Sequence, residues 1–123
     1  MMAWIVTLIS LTFISAAPHK KDSLDFEVAK LLRNTRFVAA DQAKAQGNKT
    51  LVKLKEAAFD ENLPMNTRWK SFMVYVEVKK GEALPLITRA LNHSTWYMRS
   101  AGLTALEDVN KRLAHKWAYQ IMK

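Results

Sequence analysis

Apolar residues recur at the helical period through most of the sequence after residue 22, and residues that form turns are scarce. The 123 residues include only three glycines and three prolines. An all-β domain of this length needs a turn about every ten residues. Because half of the residues are hydrophobic, the chain can bury a core. The sequence therefore predicts an all-α protein with one domain's worth of residues.

The N-terminal segment has a different composition from the rest. Residues 1–17 carry no charged side chain, and the first charge appears at Lys20. The apolar run at 3–14 has the length of a signal-peptide core, and residues 15–17 are small, as cleavage by a signal peptidase requires. We expect residues 1–17 to be a signal peptide that exports a body of residues 18–123 to the periplasm or out of the cell. The alternatives are an uncleaved membrane anchor, although the run is at or below the length of a span, and a buried first helix.

The body divides into six predicted helices. The first is expected over 22–45, because Leu24, Val28, Leu31, Leu32 and Val38 are spaced for one helical face. The second is expected from Asn48, with Leu51, Leu54, Ala57 and Ala58 on one face. The third is expected from residue 66 or 67 to Gly81, and the fourth over Glu82–Leu91. The fifth is expected from residue 94 or 95 to about Val109, and the sixth from Asn110 to the end.

One of these segments has two interpretations. Residues 72–76 combine β-branched and aromatic side chains, which are common in strands. A helix is favoured because Trp69, Phe72, Met73 and Val76 fall on one stripe and the neighbouring segments are helical.

The segment 83–109 carries a more specific pattern. A proline stands near the start of its first helix, a short polar turn follows, and a hydrophobic residue and an arginine open its second helix. The segment resembles the HEAT repeat, a pair of antiparallel helices that stacks into an α-solenoid. Asp is usual at the turn position occupied here by Asn92, so we expect an uncharged hydrogen bond to replace the ion pair with Arg99. The positions that match the repeat are Pro85, Leu91, Asn92, Met98, Arg99, Ala101, Ala105 and Leu106.

The resemblance implies a short α-solenoid of antiparallel helix pairs, in which 49–80 is a degenerate neighbouring repeat. The last helix, with Leu113, Trp117 and Ile121 on its apolar face, has no second helix to cover it. Solenoids need terminal units that close the core. We therefore expect either a truncated form of a longer array, which the capping argument favours, or an end that pairs with a partner or with itself.

Residues typical of catalytic or metal sites are few. The three histidines, His19, His93 and His115, are not spaced as metal ligands, and the chain has no cysteine. Its serines lack the glycine-flanked turn of a catalytic elbow, and no glycine loop for phosphate is present. The sequence predicts a protein that is not an enzyme and uses no metal or cofactor.

The charge points to the kind of partner. With 19 basic and 11 acidic residues the net charge is +8, which favours acidic proteins, nucleic acids or anionic membranes. We expect an exported module that binds an acidic protein, with membrane contact only through an uncleaved N-terminal segment. The candidate contact residues, chosen because Trp and basic residues alternate there, are Arg68, Trp69, Lys70, Arg112, Lys116 and Trp117.

Nucleic-acid binding is the alternative function. Some HEAT-like proteins, including a class of alkylpurine DNA glycosylases, hold duplexes on a basic concave face, and Trp with Lys or Arg can stack on bases and bind phosphates. An export signal argues against this function, because most nucleic acid lies inside the cell. Packing at helix junctions is the simpler role for these tryptophans.

Two segments match the acceptor pattern for N-linked glycosylation. They are Asn48-Lys49-Thr50 and Asn92-His93-Ser94. The pattern has a consequence only in a eukaryotic secretory pathway.

Overall fold

The computed structural model describes residues 24–122, and these are helical apart from short connections. No β-strand occurs within that range, so the all-α prediction is confirmed for it. The predicted signal peptide at 1–17 and its boundary lie outside the described residues. In chain order the elements are α1 (Phe26–Leu31), α2 (Arg36–Gln46), α3 (Asn48–Ala58), α4 (Met65–Lys79), a 3₁₀ turn (Lys80–Ala83), α5 (Leu84–Leu91), α6 (Trp96–Val109) and α7 (Lys111–Met122).

The prediction of one helix over 22–45 is wrong, because the chain forms two helices there. The Asp25 carboxylate caps α1 by accepting from the amides of Glu27 and Val28, so the helix begins only at Phe26. After α1 the amides of Arg33 and Asn34 turn back onto the carbonyls of the helix's last turn. Helix α2 therefore starts in a new register.

The change of register moves the buried face of α2. Val38, predicted to share the apolar face, is 47% exposed, whereas Ala39, Ala40 and Ala43 are buried. Small alanines thus replace the expected branched side chain at the contact with neighbouring helices. The physical reason is that Asn and Thr, at 34 and 35, favour turns and caps over helix interiors.

The other predicted helices are confirmed. Leu51, Leu54, Ala57 and Ala58 all lie buried on one face of α3, as expected. Residues 72–76 are helical, so a strand is excluded there. Their β-branched and aromatic side chains are explained by burial, because α4 is packed on both sides.

Helix α4 joins two apolar clusters. It packs against α2 and α3 on one side and against α6 on the other, while α6 also packs against α5 and α7. We call the two groups the N-terminal cluster and the C-terminal cluster, and α4 contributes Val74 to the first. The N-terminal cluster consists of Val28, Leu31, Leu32, Ala39, Ala40, Ala43, Leu51, Leu54 and Val74. The C-terminal cluster consists of Ala58, Phe72, Met73, Val76, Ala83, Leu86, Ile87, Ala90, Leu91, Met98, Ala101, Ala105, Leu106 and Ala114.

Within residues 24–122 no helix is both long and apolar enough to cross a membrane.

Candidate partner-binding surface

The six predicted contact residues fall into two groups on different helices. Arg68, Trp69 and Lys70 lie in the first turns of α4, and Arg112, Lys116 and Trp117 lie on α7. Among the described residues no hydrogen bond, ion pair or ring contact joins the two groups. The two indoles pack at the edge of the same C-terminal cluster.

Arg68 is an internal residue. It is 2% exposed, its Nε donates to the Ala58 carbonyl at 3.2 Å, and its Nη1 donates to the Tyr97 hydroxyl at 2.9 Å. The guanidinium carbon lies 5.5 Å from the centre of the Tyr97 ring, and Nη2 is buried without a hydrogen-bond partner. Arg68 therefore ties the end of α3 to the start of α6 and offers no surface to a partner in this conformation.

Trp69 and Lys70 are half-buried. The Trp69 ring packs against the C-terminal cluster, as a tryptophan at a helix junction does. Two residues of the first group, Arg68 and Trp69, therefore pack between helices.

Arg99 makes an arrangement similar to that of Arg68 one helix pair later. Its Nη1 donates to the carbonyls of His93 and Ser94, at 2.9 Å each. Both acceptors are neutral turn carbonyls, so the expected hydrogen bond between Asn92 and Arg99 is wrong. The Asn92 side chain instead donates to the Thr88 carbonyl at 2.9 Å, which closes the end of α5.

The second group borders an open groove on α7. Leu113, Lys116, Trp117 and Gln120 line it, and its volume is about 230 Å³. Their spacing of three and four residues places them on one helical face. Ala114 anchors the helix in the C-terminal cluster, while Leu113 and Trp117 stay half-buried at its edge. We call this feature the α7 groove.

Positive charge is concentrated on this helix. Residues 111–122 include Lys111, Arg112 and Lys116 but no Asp or Glu. In the part of the chain that the structure describes, none of the three forms an ion pair, whereas Arg36, Lys53, Lys79 and Lys80 each lie within ion-pair distance of a carboxylate. The start of α7 is fixed by Asn110, whose side-chain oxygen accepts from the Leu113 amide at 3.1 Å. An anionic segment would find the complementary charge on α7.

The titratable groups elsewhere serve the fold. Over residues 24–122 no three His, Asp or Glu side chains gather as metal ligands. His93 Nδ1 accepts from the Thr95 amide at 3.1 Å and so helps to start α6. The hydrogen bond from Lys53 and those from the α1 amides hold the pKa of Asp25 below its ordinary value of 3.8.

Sequence reasoning missed Gln120 as a residue of this surface and named Leu113 only as apolar. The helical spacing of Leu113 and Gln120 from Lys116 and Trp117 was the signal that could have found both. Comparison with protein-family models, with curated proteins and with solved structures gives no match to this chain.

Proposed function

We propose that this chain is an exported, non-enzymatic helical-repeat module of the HEAT type that binds an acidic segment of another protein. The observation that carries the proposal is the α7 groove, which Leu113 and Trp117 line together with the basic residue Lys116. Aromatic residues and arginine are enriched at protein interfaces, and basic groups without an ion-pair partner favour an acidic partner.

The packing order supports a solenoid. Helices α2, α4 and α6 contact one another in succession, and α3 and α5 each pack against the helix that follows them. Arg68 and Arg99 stand near the starts of α4 and α6, and each donates to backbone carbonyls at the end of, or just after, the preceding helix. Repetition of one contact in successive helix pairs is what a repeat architecture requires.

Charge and shape together favour an acidic amphipathic segment as the occupant of the groove. Its apolar side would cover Leu113 and Trp117, and its carboxylates would meet Lys116 and Arg112. A second copy of this chain fits less well, because α7 would face another basic helix. Exposed charges at the edge of an interface act mainly on the association rate, so binding should weaken with salt.

Site-specific photocrosslinking tests the proposal. A photoreactive residue is placed at Gln120, in the groove, or at the exposed Lys44 of α2 as a control, and the full chain is irradiated in an extract of its own source. Adducts are identified by mass spectrometry. We expect one protein with an acidic segment to be attached at position 120 and not at 44, and its purified form to bind this chain.

Matched substitutions make the test specific. Trp117→Ala should weaken binding of the purified partner more than tenfold, as truncation of an interfacial hot spot does, and Lys116→Glu should slow association. The controls are Trp96→Ala, which removes an indole that is 68% exposed at the start of α6, and Lys55→Glu on α3. Equal effects of the groove and control substitutions would contradict the proposal. A nuclease-sensitive adduct, with DNA binding that falls steeply with salt, would favour the nucleic-acid alternative.

A further inference from the structure

We infer that Asn48 and Asn92 are acceptor sites for N-linked glycans. This inference rests on the exported location in the proposed function, with export through a eukaryotic secretory pathway. Each asparagine is followed two positions later by a hydroxyl residue, Thr50 or Ser94, with no proline between them. Both asparagines are also exposed at the end of a helix.

Glycan transfer needs an oligosaccharide donor from outside this chain. In the transfer, the amide nitrogen of asparagine attacks the anomeric carbon of a lipid-pyrophosphate-linked oligosaccharide. The new carbon–nitrogen bond replaces the carbon–oxygen bond to pyrophosphate, the lipid pyrophosphate leaves, and the amide loses one proton. The modified side chain keeps one N–H.

At Asn48 a glycan would displace no side-chain hydrogen bond to a described residue. Asn48 is the first residue of α3, directly after Gly47, and its side chain makes no hydrogen bond to any described residue. The Thr50 hydroxyl, in contrast, is nearly buried and donates to the Gln46 side-chain oxygen at 2.9 Å. Since the transferring enzyme must read this hydroxyl, we expect Asn48 to be modified before α3 folds.

At Asn92 the folded structure can keep its hydrogen bond after modification. The side-chain nitrogen donates one hydrogen to the Thr88 carbonyl at 2.9 Å. One N–H remains after glycosylation, so the side-chain nitrogen is still a donor for this bond. Asn92 lies in the turn between α5 and α6, where Ser94 is exposed as well.

Three other exposed asparagines are controls for the acceptor pattern. Asn62, Asn66 and Asn110 are also exposed but have no hydroxyl residue two positions later. Neither acceptor lines the α7 groove, so a glycan at 48 or 92 leaves that surface open.

The test is expression of the full chain in a eukaryotic secretory cell line, followed by mass spectrometry before and after treatment with a peptide N-glycosidase. We expect two glycans, with conversion of Asn48 and Asn92 to aspartate by the enzyme. Asn48→Gln and Asn92→Gln should each remove one glycan, Thr50→Ser should retain glycosylation at 48, and the control Asn66→Gln should leave both glycans in place. A glycan at only one site would overturn the assignment of the other.

A second version separates the acceptor sites from export. In it, residues 1–17 are replaced by a signal peptide of proven activity, and glycans are measured in both cells and medium. If this version alone carries glycans, the exported location is wrong for the natural chain and the acceptor assignment stands. If translocated protein carries no enzyme-sensitive glycan, the assignment of both sites is overturned.

Discussion

Arg68 is a buried cation without a carboxylate beside it among the described residues. Its guanidinium donates hydrogen bonds to the Ala58 carbonyl and the Tyr97 hydroxyl, and Nη2 has no hydrogen-bond partner. A hydrogen bond to a charged group contributes about 1.5–3 kcal/mol, and loss of one partner leaves the other group unsatisfied. We expect Arg68→Ala to lower the free energy of unfolding by roughly 2–4 kcal/mol, measured by denaturant titration.

The interaction of Arg68 with Tyr97 can be separated by a double-mutant cycle. Arg68→Met and Tyr97→Phe should show a coupling free energy of about 0.5–3 kcal/mol. Arg112→Met is the matched control, because Arg112 is exposed on α7 and should change stability by no more than about 0.5 kcal/mol. Additive effects of the two substitutions would mean that the Arg68–Tyr97 hydrogen bond contributes nothing.

Asp25 gives the chain a predictable response to acid. The Lys53 ammonium, at 2.9 Å, and the α1 amides lower the pKa of Asp25 in the folded state. The carboxylate therefore adds stability above its ordinary pKa of 3.8, and this contribution is lost as the pH falls through the lower folded-state value. Because the pair is exposed, we expect it to contribute no more than about 1 kcal/mol.

The comparison of Asp25→Asn with Asp25→Ala separates charge from capping. Asparagine can still accept the α1 amides, so Asp25→Asn should lose only the ion pair, and the difference from the parent protein should vanish in acid. Asp25→Ala also removes the cap, so it should lower the free energy of unfolding further, by about 0.5–2 kcal/mol. A parent-to-Asn difference that grows below pH 3.8 would contradict this account.

At the scale of elements, a glycine lets α5 and α6 approach closely. A Cβ built on Gly102 of α6 would lie 3.0 Å from the Leu91 backbone nitrogen and 3.1 Å from the Ala90 Cβ. Alanine favours a helix by about 1 kcal/mol over glycine, but overpacking costs about 1–3 kcal/mol. We expect Gly102→Ala to lower stability by about 1 kcal/mol, because a backbone atom cannot move aside alone. Gly81→Ala is the control, since nothing lies within 4 Å of its added Cβ. Both variants are measured by denaturant titration, and an increase in the free energy of unfolding at both sites would show that α5 and α6 separate easily.

Helix positions could be predicted from the sequence better than helix faces. The periodic apolar residues of α3 and α6 locate these helices, because each is one uninterrupted amphipathic segment. The break between α1 and α2 was missed, since Leu24, Val28 and Val38 stay in phase by coincidence across the turn. Alanines buried on α2 carry too weak a hydropathy signal to correct that error.

The candidate surface was partly predictable for a related reason. The order of residues shows where Trp and basic residues alternate, and this pattern predicted Lys116 and Trp117, which line the α7 groove. It cannot tell which arginine is buried, because Arg68 and Arg112 look alike in sequence. Only the tertiary positions of Ala58 and Tyr97 determine that Arg68 lies inside.

At the scale of the whole molecule, two apolar clusters meet at α4. Val74 belongs to the N-terminal cluster, and Phe72, Met73 and Val76 belong to the C-terminal cluster. The apolar side chains therefore pack in two neighbouring clusters rather than around one centre. If the clusters act as the units of a repeat protein do, stability is approximately a sum of one term for each cluster and one for the contact between them.

Two matched leucine substitutions test this view of the molecule. Leu31→Ala in α1 and Leu106→Ala in α6 each remove a side chain from one cluster and should each cost about 2–5 kcal/mol locally. In hydrogen exchange, Leu31→Ala should lower amide protection in α1–α3 and leave α5–α7 protected, and Leu106→Ala should do the reverse. Helix α4 should respond to both, because it packs in both clusters. Equal loss of protection in every helix would mean that the chain unfolds as one cooperative unit. The two clusters would then describe how the chain packs but not how its stability is distributed.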